Sequence, residues 1–153
     1  MPCAFFRGYQ GSDLPLVNGQ IRFVECPFTG DRLACVPACR PDVAIIHAQR
    51  ADRDGNVLIE GIVGVHKEAV LAARRAVVTV EEVVEDFGPR SSNTVILPAW
   101  ALSAVVVAPY GARPSYAHGY YSRDNAFYIA WDQIARERKT FLEWMQVNVL
   151  RAG

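Results

Sequence analysis

The stretch DVAIIHAQRADRDGN, residues 42–56, decides how the chain is read. Its first part, VAIIHA (43–48), is a continuous apolar run, the pattern of a strand covered on both faces. The chain then breaks into polar groups: His47, Gln49, Arg50, Asp52, Asp54 and Asn56. Asp54, Gly55 and Asn56 can supply left-handed backbone angles, so DRDGN reads as a tight turn into the next strand, VLIEG (57–61). The carboxyl end of a strand is where open α/β sheets gather ligands, so the polar cluster has two readings, a site or the soluble end of a strand. Gln49 could orient a substrate carboxylate, and Arg50 could neutralise one by a bidentate contact. His47, flanked by apolar residues, reads more simply as a hydrogen-bonded core histidine.

Working outward, HKEAVLAARRA (66–76) repeats alanine at Ala69, Ala72, Ala73 and Ala76, a small-residue helical face. Arg74 and Arg75 then fall in its last turn, where cations suit the helix dipole. VVTV (77–80), TVILP (94–98) and LSAVVVAP (102–109) read as further strands, the last one strongly buried. The tail is helical: DNAFYIAWDQIARER (124–138) places Phe127, Ala130, Trp131 and Ile134 on one face, and Thr140 with Glu143 forms a capping box that starts a second helix. Before position 42 the chain is punctuated by proline and glycine, and only IRFVEC (21–26) and RLACV (32–36) look like strands. The expected class is α/β, a mostly parallel open sheet with flanking helices and a C-terminal helical pair, forming a single domain over 1–153. The helices are too few to cover both faces of such a sheet.

At 153 residues, half of them apolar, the chain can bury a core of its own. Sixteen basic and sixteen acidic residues balance, so there is no electrostatic footprint for nucleic acid or an anionic membrane. No apolar run is long enough to span a bilayer, and MPCAFFRGYQGSD is not a secretory leader; the expected compartment is the cytoplasm. Four cysteines, at 3, 26, 35 and 39, lack the second half of a zinc pattern and are expected to be reduced thiols, with no metal.

MPCAFFRGYQGSDL, CPFTGDRLACVPACRPDVAIIHAQRADRDGNVLIEGI, KEAVLAARRAVVTVEEVV and APYGARPSYAHGYYSRDNAFYIAWD together resemble the alpha subunits of family I CoA-transferases, closest to the glutaconate CoA-transferase type. HAQRADRDGN with APYGARPS and GYYSRDNAF carries the likeness. The family's alpha subunit is longer, so the resemblance implies that this chain corresponds to its later half, with the first βα units and a glycine-rich loop preceding Met1. It also implies an acyl-CoA and a carboxylic acid as substrates, with coenzyme A passing between them and no further cofactor. A beta subunit is the implied partner and supplies the nucleophilic glutamate, so no catalytic residue is expected on this chain. The glutamate attacks the thioester to give a mixed anhydride and CoA thiolate, and the thiolate then attacks the glutamyl carbonyl to give an enzyme–CoA thioester.

GYQGSD (8–13) is similar to a glycine-containing loop near the family's acyl cleft. Gln10, Gly11 and Ser12 are therefore expected to bind substrate or CoA, alongside Gln49 and Arg50. Glu60, in LIEG, looks like a nucleophile only superficially and reads as an outward strand residue. Glu81 and Glu82 point to opposite faces of their strand and read as a solvated strand end. PYGARPSYAHGYYSRDN (109–125), with four tyrosines, Arg113 and His118, reads as a subunit interface in preference to a ligand rim. Two alternatives stay open: a hydrolase acting on a CoA thioester or opening a ring in one, and a non-catalytic interface module. The uncovered sheet predicts an oligomer.

Overall fold

A computed structural model of the chain describes residues 2–150. Two compact units emerge, Met1–Pro41 and Asp42–Gly153, and the single domain expected from the sequence spans both.

The first unit is a three-stranded antiparallel sheet of β1 (Cys3–Phe6), β2 (Arg22–Glu25) and β3 (Arg32–Pro37), in the order β1-β3-β2. A short helix, α1 (Leu14–Val17), joins β1 to β2. β2 and β3 are the strands that the sequence implies; β1 is an addition. CAFF is too short to announce itself, and it becomes a strand by pairing with β3 from Cys3 opposite Pro37 to Phe6 opposite Ala34. Ala34 and Ile21 are buried here.

The second unit is built on a five-stranded sheet in the order β7-β5-β4-β6-β8. Its strands are β4 (Val43–Asp52), β5 (Val57–Glu60), β6 (Arg75–Val84), β7 (Thr94–Leu97) and β8 (Ala104–Val107). The α/β class and the open sheet are as the sequence implies, but the parallel share is smaller. β4 with β6 and β6 with β8 are parallel, whereas β4 with β5 and β5 with β7 are antiparallel. The DRDGN turn is the reason: it closes a hairpin, so β5 returns beside β4 instead of crossing over. The Asp52 N–H donates to the Asn56 carbonyl at 2.9 Å, the Asp52 carboxylate accepts the Asn56 N–H at 2.8 Å, and Gly55 takes φ +84. The polar residues at 52–56 are therefore a turn.

α2 covers His66–Ala72 only. Arg74 and Arg75 do not close a helix; Arg75 opens β6, opposite Val43. Nine paired positions along β4 outweigh the helical preference of two arginines. Val70 is buried and Ala69 and Ala73 pack against the core, whereas Ala72 is exposed and Ala76 belongs to β6, so only part of the expected small-residue face meets the core.

Two strands are less covered than their composition suggests. Ala44, Ile46 and Ala48 are buried, but Ile45, on the other face of β4, is 76% exposed. β8 is an edge strand on β6, and Val106 and Val107 are exposed. Among the described residues one face of this sheet lacks a full covering layer, as the shortage of helices predicts.

The tail forms α3 (Asn125–Arg136) and α4 (Arg138–Met145), followed by a π turn, Gln146–Leu150. Phe127, Trp131, Phe141 and Trp144 pack ring against ring between the two helices. Asp124 caps α3 by accepting the Phe127 N–H at 2.9 Å. The Thr140–Glu143 capping box does not form: α4 has already begun at Arg138, so Thr140 lies inside it.

Candidate functional site

Because β4 and β6 run parallel and in register, His47 sits opposite Thr79, and Glu81 projects on the same face one pleat further on. The His47 ring is held at both ends, Nδ1 at 2.8 Å from Thr79 Oγ1 and Nε2 at 2.7 Å from Glu81 Oε1. The Glu81 side chain is buried, 4% exposed, and that of His47 is partly buried, 13% exposed. Glu81 accepts two further bonds, from the Tyr121 hydroxyl at 2.7 Å and from the Tyr110 N–H at 2.8 Å. The Tyr121 hydroxyl in turn accepts the Ala112 N–H at 2.9 Å.

Burial opposes the charge on Glu81, yet the Tyr110 N–H, the Tyr121 hydroxyl and His47 outweigh it and hold the carboxyl below the usual range. The same burial, with the bond to Glu81, pushes the Tyr121 phenol up. Glu81 thus ties the loop after β8 to the sheet. The loop meets it closely: Tyr110 takes φ +63, its ring lies 5.1 Å from that of Tyr121, and Arg113 stands over the Tyr110 ring at 4.4 Å. Gly111 is required by space, since a Cβ there would sit 2.8 Å from His47 Nδ1 and from the Ala108 carbonyl oxygen.

Sequence reasoning misses this constellation. It makes His47 a satisfied core histidine, which it is, but it makes Glu81 a solvated strand end, and Glu81 is instead buried and fully bonded. The alternation argument does hold: Glu82, on the opposite face, is exposed and accepts from the Tyr120 hydroxyl at 2.6 Å. Burial and that bond raise the Tyr120 phenol well above its ordinary value.

The sequence-predicted residues of this unit stand beside the network. The amide of Gln49 is engaged with the backbone of Glu60, accepting its N–H at 3.0 Å and donating to its carbonyl at 3.4 Å. Gln49 therefore mimics a neighbouring strand and pins the end of β5. Arg50 pairs with the Glu60 carboxylate at 2.8 Å and also reaches the Phe87 carbonyl, at 3.4 Å. That ion pair fixes Glu60 as a strand-end partner. Gln49 lines a cavity of about 290 Å³ that also meets His47, His66, Ser115, Tyr116 and His118. Arg50 is not on its wall.

In the first unit, Gln10, Gly11 and Ser12 line a cavity of about 400 Å³ with Tyr9, Phe23 and Arg32. Gln10 donates to the Arg32 carbonyl, Ser12 donates to the Tyr9 carbonyl at 3.0 Å, and the Arg32 guanidinium stacks 3.9 Å over Phe23. Tyr9 and Gly11 both take positive φ, which turns the loop sharply and leaves the Cβ side of Gly11 open. Sequence reasoning thus gathers three residues that do share one cavity, and misses Arg32 beside them.

Among the described residues no group of His, Cys, Asp and Glu has the geometry to hold a metal ion, and no helix is long and apolar enough to cross a membrane. The cysteines are unpaired thiols.

Comparison with known proteins agrees with this architecture. The sequence is 61% identical over 145 residues to the alpha subunit of 3-oxoadipate CoA-transferase from Pseudomonas knackmussii, covering 95% of this chain and 51% of that protein. It is 37% identical over 126 residues to the alpha subunit of glutaconate CoA-transferase from Acidaminococcus fermentans, covering 81% of this chain and 39% of that one. The crystal structure of glutaconate coenzyme A-transferase from the same organism superposes with a TM-score of 0.86 at 31% identity, over 95% of this chain and 51% of that one. The chain therefore spans about half the length of the relatives it matches. The coenzyme A transferase profile matches residues 11–108, a span that takes in Gly11 and Ser12, all of β4 to β6 and the His47–Glu81 pair. On this match, which exceeds half of its length, the chain belongs to the coenzyme A transferase family.

Proposed function

We propose that this chain forms part of the alpha subunit of a CoA-transferase that moves coenzyme A between an acyl-CoA and a carboxylic acid. The observation that carries the reading is the 61% identity to the corresponding 3-oxoadipate CoA-transferase subunit over 95% of the chain. The family profile crosses both compact units, which supports treating them as parts of one family domain. A partner beta subunit supplies the nucleophilic glutamate. In support, Glu81 and Glu60 of this chain are both otherwise committed. Glu81 is saturated by three donors, and Glu60 is paired with Arg50.

The partner's carboxylate attacks the acyl-CoA carbonyl, and the C–S bond breaks to give a mixed anhydride and CoA thiolate. The thiolate attacks the glutamyl carbonyl of the anhydride, releasing the first acid and leaving a glutamyl–CoA thioester. The acceptor acid reverses the two steps, so the glutamate is regenerated and no water is consumed. Gln10, Gly11 and Ser12 are assigned to substrate or CoA contact through the cavity they line with Arg32. Gln49 and Arg50 serve the second unit by fixing its strand end, Gln49 also facing the cavity there. The acid is a dicarboxylate, as the names of both relatives suggest. The enzyme is a hetero-oligomer of the cytoplasm, a setting that suits reduced thiols.

The test is co-purification with the beta subunit, followed by label exchange from acyl-CoA to a panel of acids. Acid-dependent CoA exchange supports transfer. Free CoA released at the same rate without an acceptor would replace it with hydrolysis.

A further inference from the structure

All three histidines of the chain line one cavity, the 290 Å³ space beside the end of β4. They are not equivalent. His47 has both ring nitrogens engaged, with Thr79 and Glu81, so it is a fixed part of the wall and ligates nothing. His66 Nδ1 donates to the Val63 carbonyl, so Nε2 is the ring nitrogen without a partner among the bonds formed by the described residues. His118 makes no hydrogen bond among those formed by the described residues, and its ring packs against Gly61, where a Cβ would lie 3.3 Å from it. Ser115 and Tyr116 add two hydroxyls to the same wall, and Ile59 and Ile62 add apolar surface.

The one carboxylate on the wall, Glu60, already has its countercharge in Arg50 at 2.8 Å. The cavity therefore offers the uncommitted His118 ring and the Ser115 and Tyr116 hydroxyls, and no uncommitted anion. Its size decides how much of a ligand it takes. Small-molecule sites run to roughly 300–1,000 Å³, so this one holds a short acid chain and not an acyl-CoA.

We propose that this cavity is a carboxylate subsite, in which Ser115, Tyr116 and His118 hold the non-reacting carboxylate of a dicarboxylic substrate beside His66 while Ile59 and Ile62 carry its methylenes. The proposal rests on the transferase reading for its substrate and goes beyond it by naming the residues that select two carboxylates over one. The charged and titratable groups sharing the wall with His66 are His47, His118, Tyr116 and the paired Glu60. Of these, only the last is anionic.

Two measurements test it. With three histidines in the chain, imidazole resonances are readily assigned by long-range 1H–15N NMR. Titrating the chain with glutarate should shift the ring resonances of His66 and His118, saturably, whereas neutral glutaramide at equal concentration should shift neither. H118A, at an exposed ring, should weaken glutarate about tenfold, the loss of one hydrogen bond to a charged group. S115A, a second variant of small structural cost, should weaken it in the same direction. Absence of any response at His66 and His118, or an equal response to glutaramide, overturns the subsite.

The second measurement uses the assembled enzyme. H118A should raise KM about tenfold for a dicarboxylic acceptor and leave that for butyrate unchanged. Equal effects on both acids, with transfer intact, reject the subsite and leave the transferase reading standing. No transfer to any acid rejects that reading, and the NMR titration then decides the subsite alone.

Discussion

Replacing Glu81 by glutamine tests whether the His47–Glu81–Tyr121 network fastens the loop after β8 to the sheet. The carboxylate is 4% exposed and accepts from three donors on two oxygens. An amide of the same shape has one acceptor oxygen, so at least one buried donor must face an N–H₂ group. Leaving that donor unsatisfied costs about 1–3 kcal/mol, and the remaining bonds lose their charge assistance, so E81Q should cost roughly 2–4 kcal/mol. Against a total stability of about 5–15 kcal/mol this is a large loss, and with a urea slope of about 2 kcal/mol/M it lowers the unfolding midpoint by roughly 1–2 M.

The pH dependence gives a second handle. The Glu81 carboxyl is held below its value of 4.5 in the unfolded chain, so its contribution is fully present above that value and fades as pH falls through the lower, folded one. The gap between wild type and E81Q should therefore be widest at neutral pH and narrow as pH falls below 4.5. Equal midpoints at neutral pH, or a gap that does not change with pH, would refute the reasoning.

The same network carries two smaller tests. Y121F removes the hydroxyl that donates to Glu81 and accepts from the Ala112 N–H; it should cost about 1–2 kcal/mol and speed amide exchange at Ala112. G111A places a Cβ 2.8 Å from His47 Nδ1, so it should cost about 1–3 kcal/mol by overpacking and displace the His47 imidazole resonances. In contrast, I45S alters a residue that is 76% exposed and should change the stability of this chain by less than about 0.5 kcal/mol, read by thermal unfolding.

What the sequence discloses, and what it hides, follows from the range of the forces involved. VAIIHA, VVTV and the DRDGN turn are local patterns, and each forms the expected element. The two faces of Glu81 and Glu82 are also local, fixed by the period of a strand. The His47–Glu81 contact is not. The two residues lie 34 positions apart and meet only because β4 and β6 pair in parallel, a register no single segment encodes. The parallel share of the sheet is overestimated because apolar runs tell that a strand is buried without telling which way its neighbour runs. CAFF becomes a strand only through β3, and the β6 ladder takes Arg75 from the expected helix. Gln10, Gly11 and Ser12 are legible as a group through the resemblance of GYQGSD to a family loop, with Gly11 permitting close backbone approach. Their cavity partner Arg32 lies across a strand, out of reach of a local reading.

The most direct test of the functional account is to trap the covalent intermediate. The assembled enzyme is incubated with acyl-CoA in the absence of acceptor acid, reduced with borohydride, digested and mapped by mass spectrometry. The account predicts a single modified glutamate, on the beta subunit, formed only when this chain is present. Modification of Glu60 or Glu81 of this chain, or turnover with no modified glutamate on either polypeptide, would contradict it.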